Sequence, residues 1–154
     1  MNKKPAAATA TAPNLALDHQ LCFAVYSTMI GINKVYRKRL KELGLTYPQY
    51  LVMLVLWERD ALTVTEIGHR LYLDSATLTP LLKRMEASGL LQRVRSTLDE
   101  RQVHIHLTEA GRSLRSRACQ MYDQIEQALS CELQDSVVLR DRLIALRDQL
   151  MHKH

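Results

Sequence analysis

The sequence contains no long hydrophobic run. Its longest strictly apolar stretch covers residues 51–57, about a third of the roughly 20 residues that a membrane-spanning helix needs. Residues 1–14 (MNKKPAAATATAPN) carry two lysines but lack the apolar core of a signal peptide, so we expect a flexible arm there. These absences predict a cytoplasmic protein that makes no contact with a membrane.

Glycine, proline and cysteine are also scarce. Five glycines and four prolines, beside 26 leucines among 154 residues, favour one mainly helical domain over residues 15–154. The three cysteines are odd in number and lie 97 and 12 residues apart, which does not fit a disulfide framework, so we expect free thiols. A net charge of +5 is compatible with a polyanionic partner but does not require one.

A long amphipathic helix is predicted near the N-terminus, within residues 15–44. Apolar side chains recur every three or four residues from Leu21 to Leu43, Asn14 or Asp18 is placed to cap the start, and Gly44 ends the pattern. A helix of about 25–30 residues is roughly 35 Å long or more, and a domain this small cannot cover it alone. We therefore expect part of its apolar face to meet a second subunit.

Three shorter helices are predicted in the middle third of the chain. The first covers residues 46–58 and has a proline in its opening turn, where proline is tolerated. The second covers residues 63–71, and the third, capped by Asp74 or Ser75, ends near residue 87. Two short helices joined by a turn of three or four residues are typical of a helix-turn-helix.

A hairpin and two further helices complete the predicted fold. Strand-like runs at residues 90–95 and 102–107 flank a polar tip, and helical periodicity returns in residues 108–152. The order predicts a mainly α fold with a small β-hairpin: a winged helix-turn-helix over about residues 46–107, between long N- and C-terminal dimerisation helices at about 15–44 and 108–152. Packing the terminal helices against a twin gives a two-fold homodimer, and a compact monomeric bundle is the alternative.

The last helix of the predicted helix-turn-helix has the position of a recognition helix, whose first turns enter the DNA major groove. Its inward stripe runs from Leu78 to Met85, which leaves small hydroxyl and cationic side chains to face double-stranded DNA. The hairpin adds arginines that can enter the adjacent minor groove, and Asp99 is placed to brace Arg101. The predicted DNA-facing residues are Ser75, Thr77, Thr79, Lys83 and Arg84 on the helix, and Arg93, Arg95, Asp99 and Arg101 on the hairpin.

The sequence predicts neither a metal site nor a cofactor. His19 with Cys22, and His104 with His106, each offer two ligands on one face, whereas zinc needs about four. There is no glycine-rich phosphate loop and no Ser/His/Asp set, so we do not expect an enzyme. A thiol peroxidase for which DNA is irrelevant is the enzymatic alternative, and the hairpin arginines argue against it.

Two groups of motifs resemble the MarR family of dimeric transcription regulators. Residues 99–101 (DER) and 103–111 (VHIHLTEAG) are similar to that family's wing and the helix that follows it. Residues 21–26 (LCFAVY), 45–53 (LTYPQYLVM) and 71–84 (LYLDSATLTPLLKR) resemble the family's OhrR group of organic-hydroperoxide sensors. The resemblance covers nearly the whole chain beyond the arm. It implies a repressor that leaves a palindromic operator when its inducer is sensed.

The resemblance also implies roles for individual residues. In that group the N-terminal cysteine reacts with the organic hydroperoxide, a role that falls to Cys22, and Tyr36 and Tyr47 match the tyrosines that hydrogen-bond it. Cys22 and Tyr36 are 14 residues apart, roughly 21 Å along one helix, so they can meet only across a two-fold axis. Tyr26, one turn after Cys22, is its local neighbour. A thiolate attacks the peroxide, and two phenol donors lower the pKa of such a thiol.

The fate of the oxidised sulfur has three possible outcomes. Some members of the group carry a resolving cysteine on the partner subunit, at a position that aligns near Gln127. Cys131, one turn further on, is the preferred candidate, and Cys119 or a small external thiol are the alternatives. A different interpretation of the same architecture is a MarR-type repressor whose inducer is a phenolic or aromatic ligand bound without covalent chemistry.

Overall fold

The computed structural model describes residues 15–97, 99, 101–129 and 133–152. Within these ranges six α-helices and three short strands follow one another in the order α1-α2-β1-α3-α4-β2-β3-α5-α6. This order confirms a mainly α fold with a small hairpin. The elements are α1 Leu21–Leu40, α2 Tyr47–Glu58, β1 Leu62–Thr63, α3 Val64–Leu71, α4 Ser75–Ala87, β2 Leu91–Arg95, β3 Val103–Leu107, α5 Glu109–Leu129 and α6 Leu133–Met151.

The start of α1 differs from the prediction. A separate 3-10 turn at Leu17–His19 precedes the helix, and Gln20 between them has an extended backbone (φ −87°, ψ 114°) that interrupts the helical hydrogen bonds. Asp18 lies inside that turn, so its prediction as the cap of α1 is wrong. Asn14, the other candidate cap, lies outside the described residues, as does the rest of the predicted arm.

The end of the N-terminal helical segment is as predicted. α1 continues into a 3-10 turn at Lys41–Leu43, and Gly44 then adopts a left-handed conformation (φ 68°), which glycine reaches at the lowest cost. The N–H of Leu45 donates to the carbonyl of Leu40 at 3.0 Å, the hydrogen bond that closes a Schellman motif. Gly44 is therefore confirmed as the residue that stops the helix.

The three helices of the middle third begin where the sequence places their caps. Capping boxes open α2 at Thr46 and α3 at Thr63. Asp74, rather than Ser75, caps α4, because its Oδ1 accepts a hydrogen bond from the Thr77 N–H at 2.7 Å. The start of the predicted recognition helix is thus fixed by a local side chain.

The hairpin is part of a three-stranded antiparallel sheet in the order β1-β3-β2. In addition to the predicted pair β2 and β3, the two-residue strand β1 places Leu62 opposite Ile105. Both of these side chains are buried, so β1 anchors the hairpin to the start of α3. The sequence analysis missed β1 because two residues are too few to show a strand's alternation.

The core is formed mainly by α2, the helix-turn-helix and the inward faces of the sheet and α5. The predicted inward stripe of α4 is confirmed, since Leu78, Leu81, Leu82 and Met85 are all buried. No helix in the described ranges combines the length and apolarity needed to cross a membrane. In contrast to the core helices, α1 and α6 keep large apolar side chains exposed, among them Leu21, Val25, Met29, Leu139, Leu143 and Leu150.

Candidate DNA interface and sensing site

The outer face of α4 carries the residues predicted to meet DNA. Ser75, Thr77, Lys83 and Arg84 are exposed, and Thr79 is partly buried. Neither Lys83 nor Arg84 forms an ion pair within the described part of the chain, so both charges are available to phosphates or base edges. The first turn of α4 thus presents small hydroxyl groups, and cationic side chains follow them.

Asp99 shapes the tip of the hairpin through hydrogen bonds with the backbone of Arg101 and the side chain of Gln102. Its Oδ1 accepts a hydrogen bond from the backbone N–H of Arg101 at 3.0 Å, and its Oδ2 accepts one from Nε2 of Gln102 at 3.3 Å. The brace therefore acts on the backbone of Arg101, and the exposed guanidinium makes no ion pair with any described residue. Arg95 is exposed at the end of β2.

Arg93 is bound to the recognition helix and does not join the other arginines at the tip. Its Nη1 lies 3.6 Å from Oε2 of Glu86 on α4, and its backbone N–H donates to the other carboxylate oxygen at 2.9 Å. The Arg93 side chain is only 22% exposed. This pair ties the hairpin to α4, so Arg93 is a structural residue here.

A concave surface of about 700 Å³ lies between the first turns of α4 and the hairpin. Ser75, Thr79 and Arg101 line it, together with Arg59, which the sequence analysis missed. Arg59 follows α2 and lies 3.5 Å from the Glu66 carboxylate. Glu66 lines this surface too and pairs with Arg59, while Arg93 pairs with Glu86, so Arg101 is the arginine here that makes no ion pair with any described residue.

Cys22 is an exposed free thiol in the first turn of α1. That turn contains no acidic residue. Tyr26, one turn later, is exposed as well. Neither residue is buried by any part of the chain that the structure describes.

Tyr36 and Tyr47 do come together, inside a small aromatic cluster. Their ring centroids are 5.0 Å apart with an interplanar angle of 69°, an edge-to-face contact. The ring of Tyr50 lies 5.9 Å from that of Tyr36 and 6.5 Å from that of Trp57. Tyr50 was not among the predicted site residues, although its place one turn after Tyr47 on α2 was a usable signal.

The phenols of this cluster are held in their protonated form. Burial, with smaller contributions from Tyr50 and Tyr47, raises the pKa of Tyr36 to about 12. Burial also raises the pKa of Tyr47 and of Tyr50 above the ordinary value. A phenol in this state keeps its hydroxyl hydrogen throughout the physiological range and can donate it to an anion such as a thiolate.

Cys22 and this cluster are apart within one protomer. Both Cys22 and Tyr36 belong to α1, and 14 residues of helix separate them by roughly 21 Å. One chain therefore brings Tyr36 and Tyr47 together but supplies the thiol elsewhere.

The second described thiol, Cys119, is exposed on α5. It lines a cavity of about 370 Å³ together with Tyr50, Trp57, Tyr122 and Arg115. Cys131, the predicted resolving residue, lies outside the described residues. In the ranges that are described, no group of three or more His, Cys, Asp or Glu side chains is arranged to hold a metal ion.

Comparison with known proteins identifies the architecture. The family model described as "Transcriptional regulator SarA/Rot" matches residues 34–117, more than half of the chain. The organic hydroperoxide resistance transcriptional regulator of Bacillus subtilis is 43% identical over 141 residues, which cover 92% of this chain and 96% of that protein. The chain belongs to the MarR family of winged-helix transcriptional regulators. The family resemblance drawn from the sequence is therefore confirmed.

Other members of the MarR family support this placement. The regulator TtmR of Methylorubrum extorquens is 50% identical over 135 residues, 88% of this chain and 69% of that protein. The structure of reduced AbfR bound to DNA is 38% identical, covers 88% of this chain and 93% of that chain, and has a TM-score of 0.78. The structure of disulfide-formed AbfR is 40% identical, covers 84% of this chain and 91% of the AbfR chain, and has a TM-score of 0.64. The chain is a DNA-binding transcriptional regulator and not an enzyme.

Proposed function

We propose that this chain is a homodimeric repressor that acts in the cytoplasm, binds a palindromic operator and releases it when an organic hydroperoxide oxidises Cys22. The observation that carries the proposal is the pair of protonated phenols, Tyr36 and Tyr47, which can donate hydrogen bonds to an anion such as a thiolate. Cys22 supplies an exposed thiol in the first turn of α1. Similarity to the hydroperoxide resistance regulator over 92% of this chain supports the same assignment.

The exposed apolar faces of α1 and α6 support the homodimer. Leu21, Val25 and Met29 lie on one side of α1 at spacings of four residues, so they form a continuous stripe. A groove of about 600 Å³ between α1 and α6 adds Ile32 and Leu143 to this apolar surface. A second copy that covers these faces brings the partner subunit's Cys22 to the cluster of the first, which the separation within one helix otherwise prevents.

The chemistry then follows from the thiolate. Its sulfur attacks the terminal oxygen of the hydroperoxide; an S–O bond forms, the O–O bond breaks, and the alkoxide leaves and takes up a proton to become an alcohol. The sulfur is oxidised to a sulfenic acid and the peroxide is reduced. A second thiol, with Cys131 preferred over Cys119 or a small external thiol, then displaces water and forms a disulfide. The sulfenic acid has lost the negative charge to which the phenols donate, so the interface loses those hydrogen bonds.

Operator release is the test of this proposal. Fluorescence anisotropy on the DNA upstream of the protein's own gene, at fixed salt, is expected to show release after one equivalent of cumene hydroperoxide. Intact-mass measurement of the same sample is expected to show the gain of one oxygen atom or the loss of two hydrogens. Binding that persists after complete oxidation of Cys22 would contradict the proposal.

The wing carries a separate prediction about DNA affinity. Arg101→Ala is expected to weaken operator binding about tenfold, because the exposed guanidinium at the hairpin tip is placed to enter the minor groove. The plot of log affinity against log salt is also expected to become shallower by about one unit. Arg142→Ala, which removes the same charge from an exposed position on α6, is the matched control. Equal losses in the two variants would contradict a specific role for Arg101.

An aromatic inducer bound without covalent chemistry is the second candidate. The cavity of about 370 Å³ beside Cys119 is within the range of small-molecule sites, and Tyr50, Trp57 and Tyr122 offer aromatic faces while Arg115 offers a positive charge. Glu58 and Asp123 line the cavity as well, so it suits a phenolic or aromatic ligand rather than an acid. If a variant with all three cysteines replaced by serine still releases the operator on addition of a simple phenol, this candidate is favoured over thiol oxidation.

A further inference from the structure

The turn that joins α3 to α4 is held tightly against α3. Tyr72 ends α3 in a left-handed conformation (φ 57°), and the N–H of the next residue, Leu73, donates to the Gly68 carbonyl at 3.0 Å. A Cβ at Gly68 would lie only 2.7 Å from the Leu73 carbonyl oxygen, so the close approach depends on glycine. Asp74, the cap of α4, comes two residues after Tyr72. Tyr72 therefore lies in the tight turn directly before the cap of the recognition helix.

An arginine from the C-terminal helix stacks on the half-exposed ring of Tyr72. Cζ of Arg147, on α6, lies 4.5 Å from the ring centroid, within the distance of a cation–π contact. Asp148 fixes this guanidinium, because its Oδ1 accepts hydrogen bonds from Nε at 3.0 Å and from Nη2 at 2.8 Å. The contact joins the helix-turn-helix to a terminal helix 75 residues further along the chain.

Arg147 also belongs to the surface that α6 shares with α1. It lines the groove of about 600 Å³ to which Thr28 and Ile32 of α1 contribute. The same side chain thus touches the groove beside the helix that carries Cys22 and the turn before the recognition helix. A shift of α6 relative to the turn between α3 and α4 would displace Arg147 from the ring of Tyr72.

We propose that Arg147 and Tyr72 are a positioning pair: their stacking holds the recognition helix in its DNA-binding orientation, and the contact belongs to the DNA-binding state alone. The role in DNA binding rests on the family function. The difference between the two redox states rests on the function proposed for Cys22.

A double-mutant cycle on operator affinity tests the pair. Tyr72→Leu and Arg147→Met are each expected to weaken binding by the reduced protein about two- to fivefold, which is the strength of an exposed cation–π contact. The double variant is expected to lose no more operator affinity than either single variant, because the first substitution has already removed the contact between the two side chains. Tyr72→Phe keeps the aromatic face and is expected to bind like the wild type. Losses that multiply in the double variant would overturn the proposal.

The chain offers a matched control seven residues earlier on α6. Arg140 makes the same two hydrogen bonds to its neighbour, with Nε and Nη2 donating to Oδ1 of Asp141 at 2.9 and 2.8 Å, but no aromatic ring stacks on it among the described residues. Arg140→Met removes the same charge, and its effect is expected to multiply with that of Tyr72→Leu. Coupling of Tyr72 to Arg140 as strong as its coupling to Arg147 would show a general effect of α6 and would also overturn the proposal.

The oxidised protein distinguishes the failure of this inference from the failure of the sensing proposal. Arg147→Met is expected to weaken DNA binding by the reduced form but to leave the residual affinity of the peroxide-treated form unchanged, so that the ratio of the two affinities falls about two- to fivefold. Equal losses in both forms would contradict a contact specific to the binding state. If the wild-type protein does not respond to peroxide, the role proposed for Cys22 is contradicted. The double-mutant cycle in the reduced protein would still show whether Tyr72 and Arg147 act as a pair.

Discussion

Cys22→Ser is expected to bind the operator like the wild-type protein and to remain bound after treatment with an organic hydroperoxide. Serine keeps the size and the exposed position of the side chain in the first turn of α1, so the fold is retained. It removes the thiolate, and a serine hydroxyl does not attack the O–O bond under the same conditions. The expected loss of response is complete, and anisotropy at fixed salt before and after one equivalent of cumene hydroperoxide measures it.

Cys119→Ser is the matched control, because Cys119 is the other exposed thiol in the described part of the chain. This variant is expected to release DNA on oxidation and to differ only in how its sulfenic acid is later resolved. Release of the operator by Cys22→Ser after oxidation would rule out Cys22 as the sensor. If release also survives in a chain without any cysteine, the aromatic cavity beside Tyr50 becomes the preferred inducer site.

Leu143→Glu is expected to convert the dimer to a monomer and to weaken operator binding by about 100-fold or more. Leu143 is 40% exposed and lines the apolar groove between α1 and α6, so a carboxylate there is tolerated by the isolated chain but not in an interface. A monomer binds one half-site and loses the increase in affinity that two linked DNA-binding domains provide. Sedimentation velocity measures the association state, and anisotropy on the operator measures the affinity.

Gln149→Glu is the control for the dimer experiment. It adds the same negative charge on α6 but at an exposed position about 120° around the helix from Leu143, and it removes no apolar side chain. Circular dichroism is expected to show unchanged helix content in both variants. If Leu143→Glu remains a dimer with wild-type affinity, α6 is not part of the interface and the two-fold arrangement proposed for Cys22 fails.

The helix-turn-helix was predictable because its determinants are local. The caps at Thr46, Thr63 and Asp74 each act within three residues of the chain, and the inward stripe of α4 repeats at the helical period. The sequence did not decide whether Asp74 or Ser75 caps α4. The answer depends on which side chain reaches the Thr77 N–H, and the backbone geometry determines that.

The contacts between elements were not predictable in the same way. Arg93 was grouped with the wing arginines, but the sheet places it beside Glu86 of α4, and no spacing in the sequence encodes that pairing. Tyr50 was not among the predicted site residues, because its neighbours in the cluster come from α1 as well as α2. Both contacts depend on how a helix packs against another helix or against a strand. The periodicity of the sequence does not contain that information.

The packing of α1 against α5 has a consequence for the order in which the protein is made. The guanidinium of Arg117 on α5 donates to the Glu42 carbonyl at 2.7 Å, and Glu42 belongs to the 3-10 turn that extends α1. About 70 residues separate the two helices, so at roughly 5–20 residues per second the ribosome presents α1 several seconds before α5. The contacts of Tyr36 with Tyr47 and Tyr50 on α2 can therefore form while α5 is still being synthesised. The contacts of α1 with α5, and the part of the core that α5 supplies, can form only afterwards.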